Sequence, residues 1–311
     1  MVMVAALVVV VTTTAIVTGL AGSNPLRPIL LLLLLSTGRF HNLLLQRMNE
    51  KTAEDRLMYA KRCASILVDG SKAQSLLQLK PDKRIHCMKA ISCLARYTGQ
   101  YDRWHQLRQS YNLTWSIGTE KIDAFTRFFD SSKTLETMIE WLRQAMRALP
   151  KTYSDFFLFS ALTGLRCSEA LASVKLIKNP ETFKIYYNAD QQMLQHFAFP
   201  DIFIRRTKAA YISLVNKEIL GIVQNLPQQT PTYNGLKLIC RRRSLSMRIK
   251  YCRKIYSSWL RQSGGIESEI IDMLSGRVGK NIFLRHYYTP SLNYRAKVLD
   301  SIQELHKALD V

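Results

Sequence analysis

The sequence predicts a mainly α-helical protein with a small β-sheet, divided into a short apolar N-terminal segment and two domains. Three observations support this prediction. A length of 311 residues suggests about two domains. Apolar residues recur at helical spacing through much of the chain, and the short β-rich segments are confined to one stretch of its second half. An apolar fraction of 47% excludes a fully disordered chain.

We place the divisions of the chain near residues 45 and 130. Residues 1–45 form the apolar segment, 46–130 an all-helical domain, and 131–311 a second domain that combines helices with the small sheet. The change of domain is predicted at Asp130–Ser132, a short polar run typical of a linker.

The charge balance predicts a polyanionic partner. Lysine and arginine number 44 against 23 acidic residues, a net charge of +21, which favours nucleic acid or an anionic membrane surface. The six cysteines form no CxxC pair and no His/Cys ligand spacing. We therefore expect reduced, packed thiols rather than a zinc site or a disulfide framework.

The apolar segment admits two interpretations. No charged residue precedes Arg27, and residues 1–22 are long enough to span a bilayer, so residues 1–35 form either a membrane-anchoring or an aggregation-prone helix. Alternatively, the amino acids of this segment are a by-product of a DNA sequence that is constrained for another reason. Gly22-Ser23-Asn24-Pro25 is what GGT-TCA-AAT-CCC encodes, a string that resembles the T-arm of a transfer-RNA gene.

Within the helical domain, apolar residues over 57–67 and again over 85–95 repeat at helical spacing. In the second domain, a helix is predicted over Thr134–Ala148 and ends at Leu149-Pro150, and another over Ser154–Leu162 ends at Thr163-Gly164. Three β-rich segments follow, and helical patterning resumes from about residue 216. These segments are Thr182–Tyr187, Asp201–Arg206 and Tyr211–Val215.

The first motif that indicates chemistry is Thr163-Gly164-Leu165-Arg166-Cys167-Ser168-Glu169. The glycine ends one helix and the next begins at once, so Arg166 is held at a turn where its guanidinium can grip phosphate oxygens. This string closely resembles the TGLRxSE box of the tyrosine recombinases, the phage-integrase family.

A hairpin lysine and a second motif follow in the order that this resemblance implies. Arg206-Thr207-Lys208 lies between two predicted strands, as does the family's β-hairpin lysine, which protonates the leaving oxygen. Lys250-Tyr251-Cys252-Arg253 lies in a helix predicted over Ser246–Gln262, and positions i and i+3 share one helix face. Most relatives carry His-x-x-Arg there. Residues 219–266 hold nine basic residues and no acidic one, which indicates a phosphate-facing surface.

The third motif is Leu274-Ser275-Gly276-Arg277, followed by a tyrosine pair. Arg277 stands where the family usually has histidine or tryptophan. We predict Tyr287 as the nucleophile rather than Tyr288, because Tyr294 lies seven residues later, where relatives carry an aromatic or apolar anchor. We also expect Phe283 to pack inward, four residues earlier on a short helix, and so to present Tyr287 to the arginines.

Lys250, Arg277 and the paired tyrosines together resemble the fusellovirus-type integrases of archaeal viruses and plasmids. In that group the integrase gene contains its own attachment site, which copies part of a host transfer-RNA gene. The resemblance therefore implies a helical core-binding domain, an α+β catalytic domain, and site-specific recombination of a mobile element. It also implies duplex DNA as substrate, a homo-oligomer, expected to be a tetramer on DNA, and a cytoplasmic location in the host cell.

The resemblance further implies a mechanism without metal, ATP or any cofactor. The nucleophile Tyr287 forms a 3′-phosphotyrosyl link while Arg166, Arg253 and Arg277 stabilise the phosphate charge, Lys208 is the general acid and Lys250 assists. Two alternatives stay open. A type IB topoisomerase uses a similar constellation without an attachment site, and a membrane-tethered, non-catalytic DNA-binding protein explains the charge and the apolar N-terminus.

Overall fold

The computed structural model describes residues 38–115, 134–205, 208–228, 230–278 and 282–309. The chain is mainly helical with a small antiparallel sheet, which confirms the predicted fold class at that level. It divides into two compact units, Met1–Arg127 and Phe128–Val311. The linker predicted at Asp130–Ser132 and the membrane or attachment-site interpretation of residues 1–35 lie outside the described residues.

The described part of the first unit is helical. A tryptophan at the centre of its core is both buried and hydrogen-bonded, because Trp104 Nε1 donates to Ser92 Oγ at 2.8 Å. Phe40 is fully buried, so the core of this unit includes a helix that begins within the segment assigned to residues 1–45. The elements are α1 (Arg39–Arg47), α2 (Glu50–Cys63), α3 (Ser65–Val68), a 3-10 helix (Gly70–Gln78), α4 (Pro81–Tyr97) and α5 (Tyr101–Ser110).

The second unit begins with two helices that agree with the sequence prediction. The first starts after Thr134, whose side chain accepts the N–H of Thr137, and the second ends at Gly164. The helices are α6 (Leu135–Ala148), α7 (Lys151–Thr163), α8 (Cys167–Lys178), α9 (Pro180–Tyr186), α10 (Pro200–Phe203), α11 (Lys217–Gln224), α12 (Tyr233–Arg242), α13 (Lys250–Gln262), α14 (Ser268–Leu274), α15 (Ile282–His286) and α16 (Tyr294–Leu309).

The strand predicted over Thr182–Tyr187 is wrong. That segment is helical up to Tyr186, because Asn179 caps it by accepting the N–H groups of Glu181 and Thr182, and Pro180 occupies its first position. The aromatic and β-branched residues of this segment favour a strand, but the helix-capping residues just before them determine its structure. The helix predicted from Ser246 begins instead at Lys250.

The strands are short and form two antiparallel groups. β1 (Tyr187–Asn188), β2 (Met193–Gln195) and β5 (Ile212–Leu214) pair in the order β1-β2-β5. The predicted segment Asp201–Arg206 is only partly a strand, since α10 occupies its first half. Beyond it, β3 (Ile204–Arg205) and β4 (Lys208–Ala209) form a separate two-stranded hairpin, in which Arg205 lies opposite Lys208.

The last helix, α16, closes the core of the second unit. Val298, Ile302 and Leu305 on this helix are fully buried. Two side chains from neighbouring helices hold it: Arg143 donates through both Nε and Nη2 to Ala308 O, and Trp259 Nε1 donates to Ser301 O at 2.9 Å.

None of the six cysteines, all of which lie in the described ranges, forms a disulfide bond, and four of them are buried. Across the described ranges, no helix combines the length and the apolar character needed to cross a bilayer.

Candidate active site

A sharp turn between α7 and α8 carries Arg166. Gly164 ends α7 with φ 64°, in the left-handed region, and a Cβ atom at this position would lie 2.4 Å from the ring of Tyr256. Glycine is therefore required both by backbone conformation and by the close approach of the ring. The chain reverses within two residues, and Arg166 becomes the N-cap residue of α8.

A buried carboxylate lies beneath this turn. Glu169 is 1% exposed. Its Oε2 accepts the backbone N–H of Arg166 at 3.0 Å, and its Oε1 accepts Arg166 Nη1 at 2.7 Å and Arg205 Nη2 at 2.6 Å. A buried carboxylate is stable only when it is paired, and here two guanidiniums share one oxygen.

Arg253 joins the first motif to the third. Its Nη1 donates to Gly164 O at 2.9 Å, and its Nη2 donates to Ser275 O at 2.6 Å. Burial, followed by the nearby Arg166 and then Arg277, lowers the pKa of Arg253 to about 10, while Glu169 acts in the opposite direction. Arg253 is therefore still a cation at neutral pH, and it lies within electrostatic range of the other two predicted arginines.

The β3–β4 hairpin also contacts Arg166. Arg166 Nη1 also donates to Ala209 O at 3.2 Å. Gly276, with φ 67°, packs so closely against the same carbonyl that a Cβ atom there would lie 1.9 Å from Ala209 O. Four segments that are far apart in sequence thus converge, and we call Arg166, Glu169, Arg205 and Arg253 the Glu169 cluster.

The remaining predicted cations lie at the edge of this cluster. Lys208 is exposed and directly precedes Ala209, while Arg206 and Thr207 of its motif lie outside the described residues. Lys250 is exposed at the first position of α13, one turn before Arg253. Arg277 donates to Asp272 Oδ1 at 2.8 Å, and its side chain is 60% exposed.

The predicted nucleophile is not brought into contact with the cluster. Tyr287 is 75% exposed, and among the described residues its hydroxyl makes no hydrogen bond. The inward packing predicted for Phe283 is wrong, since this side chain is 48% exposed and its ring lies 5.9 Å from that of Tyr288. The helix α15 has five residues and ends before Tyr287, so it is too short to bury one face.

Tyr288 is held differently from its neighbour. Its hydroxyl donates to Glu267 Oε2 at 2.6 Å. Burial, this hydrogen bond and the charges of Glu267 and Glu269 raise the pKa of Tyr288 to about 12. A hydroxyl that is committed to a carboxylate and harder to ionise is the poorer nucleophile of the two. The final helix begins at Tyr294, the residue on which the sequence argument for Tyr287 rests.

A buried polar chain supports the turn from below. Tyr186 Oη and Ser213 Oγ lie 2.7 and 2.9 Å from the two ring nitrogens of His196, which is fully buried, and Ser213 Oγ donates to Thr163 O at 3.4 Å. Burial lowers the pKa of His196 to about 3, so its imidazole is neutral. Because the hydroxyl of Ser213 is used on Thr163, the histidine proton lies on Nε2 and its Nδ1 accepts from Tyr186.

From sequence, Glu169 is placed only at the start of a helix, and Arg205 and His196 receive no role. A signal existed for the first, since a glutamate three residues after an arginine at a helix start is a typical ion-pair and capping arrangement. Arg205 lies three residues before Lys208, the spacing at which the two residues pair across the hairpin. No sequence signal marks His196, because its partners lie on α9 and β5.

No family model matches the chain, and neither the curated proteins nor the solved structures contain a significant match. Within the part of the chain that the structure describes, no group of three or more His, Cys, Asp or Glu side chains could hold a metal ion.

Proposed function

We propose that the protein is a site-specific tyrosine recombinase of the integrase kind, which cleaves and rejoins DNA through a 3′-phosphotyrosyl intermediate. The observation that carries the proposal is the position of Arg253, which bonds to Gly164 O in the first motif and to Ser275 O in the third. Three motifs that resemble one family's boxes in sequence order therefore also meet in space.

The hydrogen bonds of Arg166 leave room for a phosphate. Among the described residues, its Nη1 is used on Glu169 and Ala209, whereas its Nη2 and Nε donate to no acceptor. Its side chain is 27% exposed, so these donors can reach a bound anion. A guanidinium that is anchored through one nitrogen and open at two others suits bidentate contact with phosphate oxygens.

In the proposed reaction, the Tyr287 oxygen attacks a backbone phosphorus and releases its proton to water. The bond from phosphorus to the 5′ oxygen breaks, and Lys208 donates a proton to that oxygen, which leaves as a hydroxyl. Arg166, Arg253 and Arg277 stabilise the charge that develops on the phosphate oxygens, and Lys250 assists from the start of α13. One phosphoester replaces another, so the reverse reaction reseals DNA without ATP.

Integration of a mobile element at a transfer-RNA-gene-like site extends the proposal. It is supported by the net charge of +21, by the acid-free stretch over 219–266 and by the Gly22–Pro25 string. Paired strand exchange requires several copies of the protein, and a tetramer on DNA in the host cytoplasm fits this chemistry. The apolar residues 1–35 leave membrane association as the competing interpretation of the N-terminal segment.

The decisive experiment uses the protein's own coding DNA. A nicked duplex that spans the codons for Gly22–Pro25 is incubated with the full chain in EDTA, and a covalent protein–DNA adduct is measured on a denaturing gel. We expect an adduct on this duplex and much less on a scrambled duplex of the same length and composition.

Three results would contradict the proposal in different ways. An adduct that requires Mg²⁺ indicates a nuclease-type site. Equal reaction on both duplexes, with relaxation of any supercoiled plasmid, indicates a topoisomerase. Binding that weakens steeply with salt but never yields an adduct indicates a non-catalytic DNA-binding protein.

A further inference from the structure

The hairpin that carries Lys208 is too small to fix its own position. Its two strands, Ile204–Arg205 and Lys208–Ala209, have two residues each. An isolated two-stranded ribbon is marginally stable in water, and this one has little apolar anchoring, since Ile204 is 39% exposed and Arg205 and Lys208 are exposed as well. Its placement therefore depends on contacts with the rest of the second unit.

Most of those contacts hold the second strand. Ala209 O accepts from Arg166 and packs against Gly276, whereas the bond from Ala210 N–H to Phe203 O at 3.0 Å joins the two ends of the hairpin to each other. On the first strand, the side-chain anchor is Arg205, which donates to the buried Glu169 at 2.6 Å.

The pairing register relates this anchor to the lysine. Residues directly opposite each other in an antiparallel pair project their side chains from the same face, so Lys208 lies on the face from which Arg205 reaches Glu169. Two cations in this arrangement repel each other, and the repulsion favours separation of the strands. The carboxylate of Glu169 offsets this repulsion by pairing with Arg205 from below.

We propose that Arg205 is a positioning residue for Lys208: its ion pair with Glu169 holds the hairpin so that the lysine faces the phosphate bound at Arg166. This inference rests on the proposed function, in which Lys208 protonates the leaving 5′ oxygen. Without the ion pair, the hairpin keeps its contacts on the second strand but loses the one that sets the orientation of the lysine.

The test compares two nicked duplexes that differ in one atom, the bridging 5′ oxygen or a sulfur in its place. An alkoxide leaving group needs a proton, whereas a thiolate leaves without one because thiols are far more acidic. Loss of the general acid therefore slows cleavage of the oxygen substrate selectively. Cleavage rates are measured for the wild-type chain and for variants at Arg205, Lys208 and Arg166.

We expect Arg205→Ala to slow cleavage of the oxygen substrate about 10- to 100-fold, which is part of the full effect of losing a general acid. The same variant should cleave the sulfur substrate at a rate within about threefold of wild type. Lys208→Ala follows the same pattern with a larger loss. Arg166→Ala is slow on both substrates, because its role is in phosphate stabilisation. Lys184→Ala, which removes an exposed ion pair of the same unit with Glu181, changes neither rate.

Two results overturn the inference while leaving the recombinase proposal intact. One is an Arg205→Ala variant that is equally slow on both substrates, and the other is one that is unaffected on both. Where the alanine variant does not fold, the ratio of the two cleavage rates is measured in Arg205→Lys and Arg205→Gln instead. Equal loss on both substrates in these variants again overturns the inference. A wild-type chain that cleaves neither substrate overturns the recombinase proposal itself, and this inference falls with it.

Discussion

The Glu169 cluster and the segment over residues 282–293, which carries both tyrosines, belong to one unit but are held in opposite ways. The arginines of the cluster are fixed through backbone carbonyls and a buried carboxylate. In the tyrosine segment, by contrast, Ile282 is 72% exposed, and Leu292 is fully exposed. The comparison teaches that the fold itself fixes the arginines of the cluster, whereas it leaves Tyr287, the proposed nucleophile, exposed.

The largest expected effect concerns the tyrosine segment. Tyr287→Phe should abolish the covalent protein–DNA adduct, because the phenyl ring lacks the attacking oxygen. Tyr288→Phe is the matched control and should preserve the adduct, since its hydroxyl is already committed to Glu267. Adduct yield on the nicked duplex is the measurement. Survival of the adduct in Tyr287→Phe and its loss in Tyr288→Phe would identify Tyr288 as the nucleophile.

The next effect concerns the cluster. Arg253→Lys should lower the cleavage rate about 100- to 1000-fold with little change in DNA affinity, because an ammonium keeps the charge but cannot bridge two carbonyls and also reach a phosphate. Arg261→Lys, on the same helix, is the control, since Arg261 makes a single bond to Ile266 O that lysine can replace. Single-turnover rates and binding titrations separate chemistry from affinity. Equal losses in the two variants would count against a special role for Arg253.

A third effect tests the turn that supports the cluster. Gly164→Ala should lower the free energy of unfolding by about 2–4 kcal/mol, because the methyl group meets the buried Tyr256 ring in a left-handed backbone conformation. Gly221→Ala is the matched control, since nothing lies within 4 Å of the added atom and alanine favours the surrounding helix. Denaturant unfolding gives both values. Equal stability of the two variants would show that the turn is not constrained.

The smallest effect for a single step of one pH unit concerns the polar chain below the turn. The unfolded state takes up a proton at His196 near pH 6.5, whereas the folded state resists it down to about pH 3. Because the unfolded state then binds more protons, stability falls as pH is lowered through this window, by about 1.4 kcal/mol per pH unit from this residue. Unfolding curves at several pH values for wild type and His196→Gln should diverge in slope. Parallel slopes would contradict a buried, neutral histidine.

The sequence was sufficient for features that are encoded locally. Gly164 ends one helix, the next begins directly after Arg166, and the helix up to Ala148 ends where Leu149-Pro150 requires it. These predictions depend on a few adjacent residues whose backbone preferences are strong. Convergence of the first and third motifs was expected only through the family resemblance, and the bonds of Arg253 now give it a physical basis.

Other features depend on partners that are distant in sequence. The spacing of Phe283 from Tyr287 predicts inward packing, but the helix has only five residues and the Phe283 side chain stays 48% exposed. The strand β2 has three residues, which is too short to produce a period, and it exists because β1 and β5 pair with it on either side. His196 and Arg205 acquire their roles only from the elements around them.

The buried carboxylate of Glu169 acts as an internal counterion. The arginines around it repel one another, and in an empty site they would otherwise attract anions from solution. Because their charge is partly balanced within the fold, we expect a phosphate that binds there to displace few small ions, and burial of Glu169 shields this local field from bulk salt. Salt should therefore govern how often the protein engages DNA, through its exposed basic surface, far more than how fast the bound phosphate reacts.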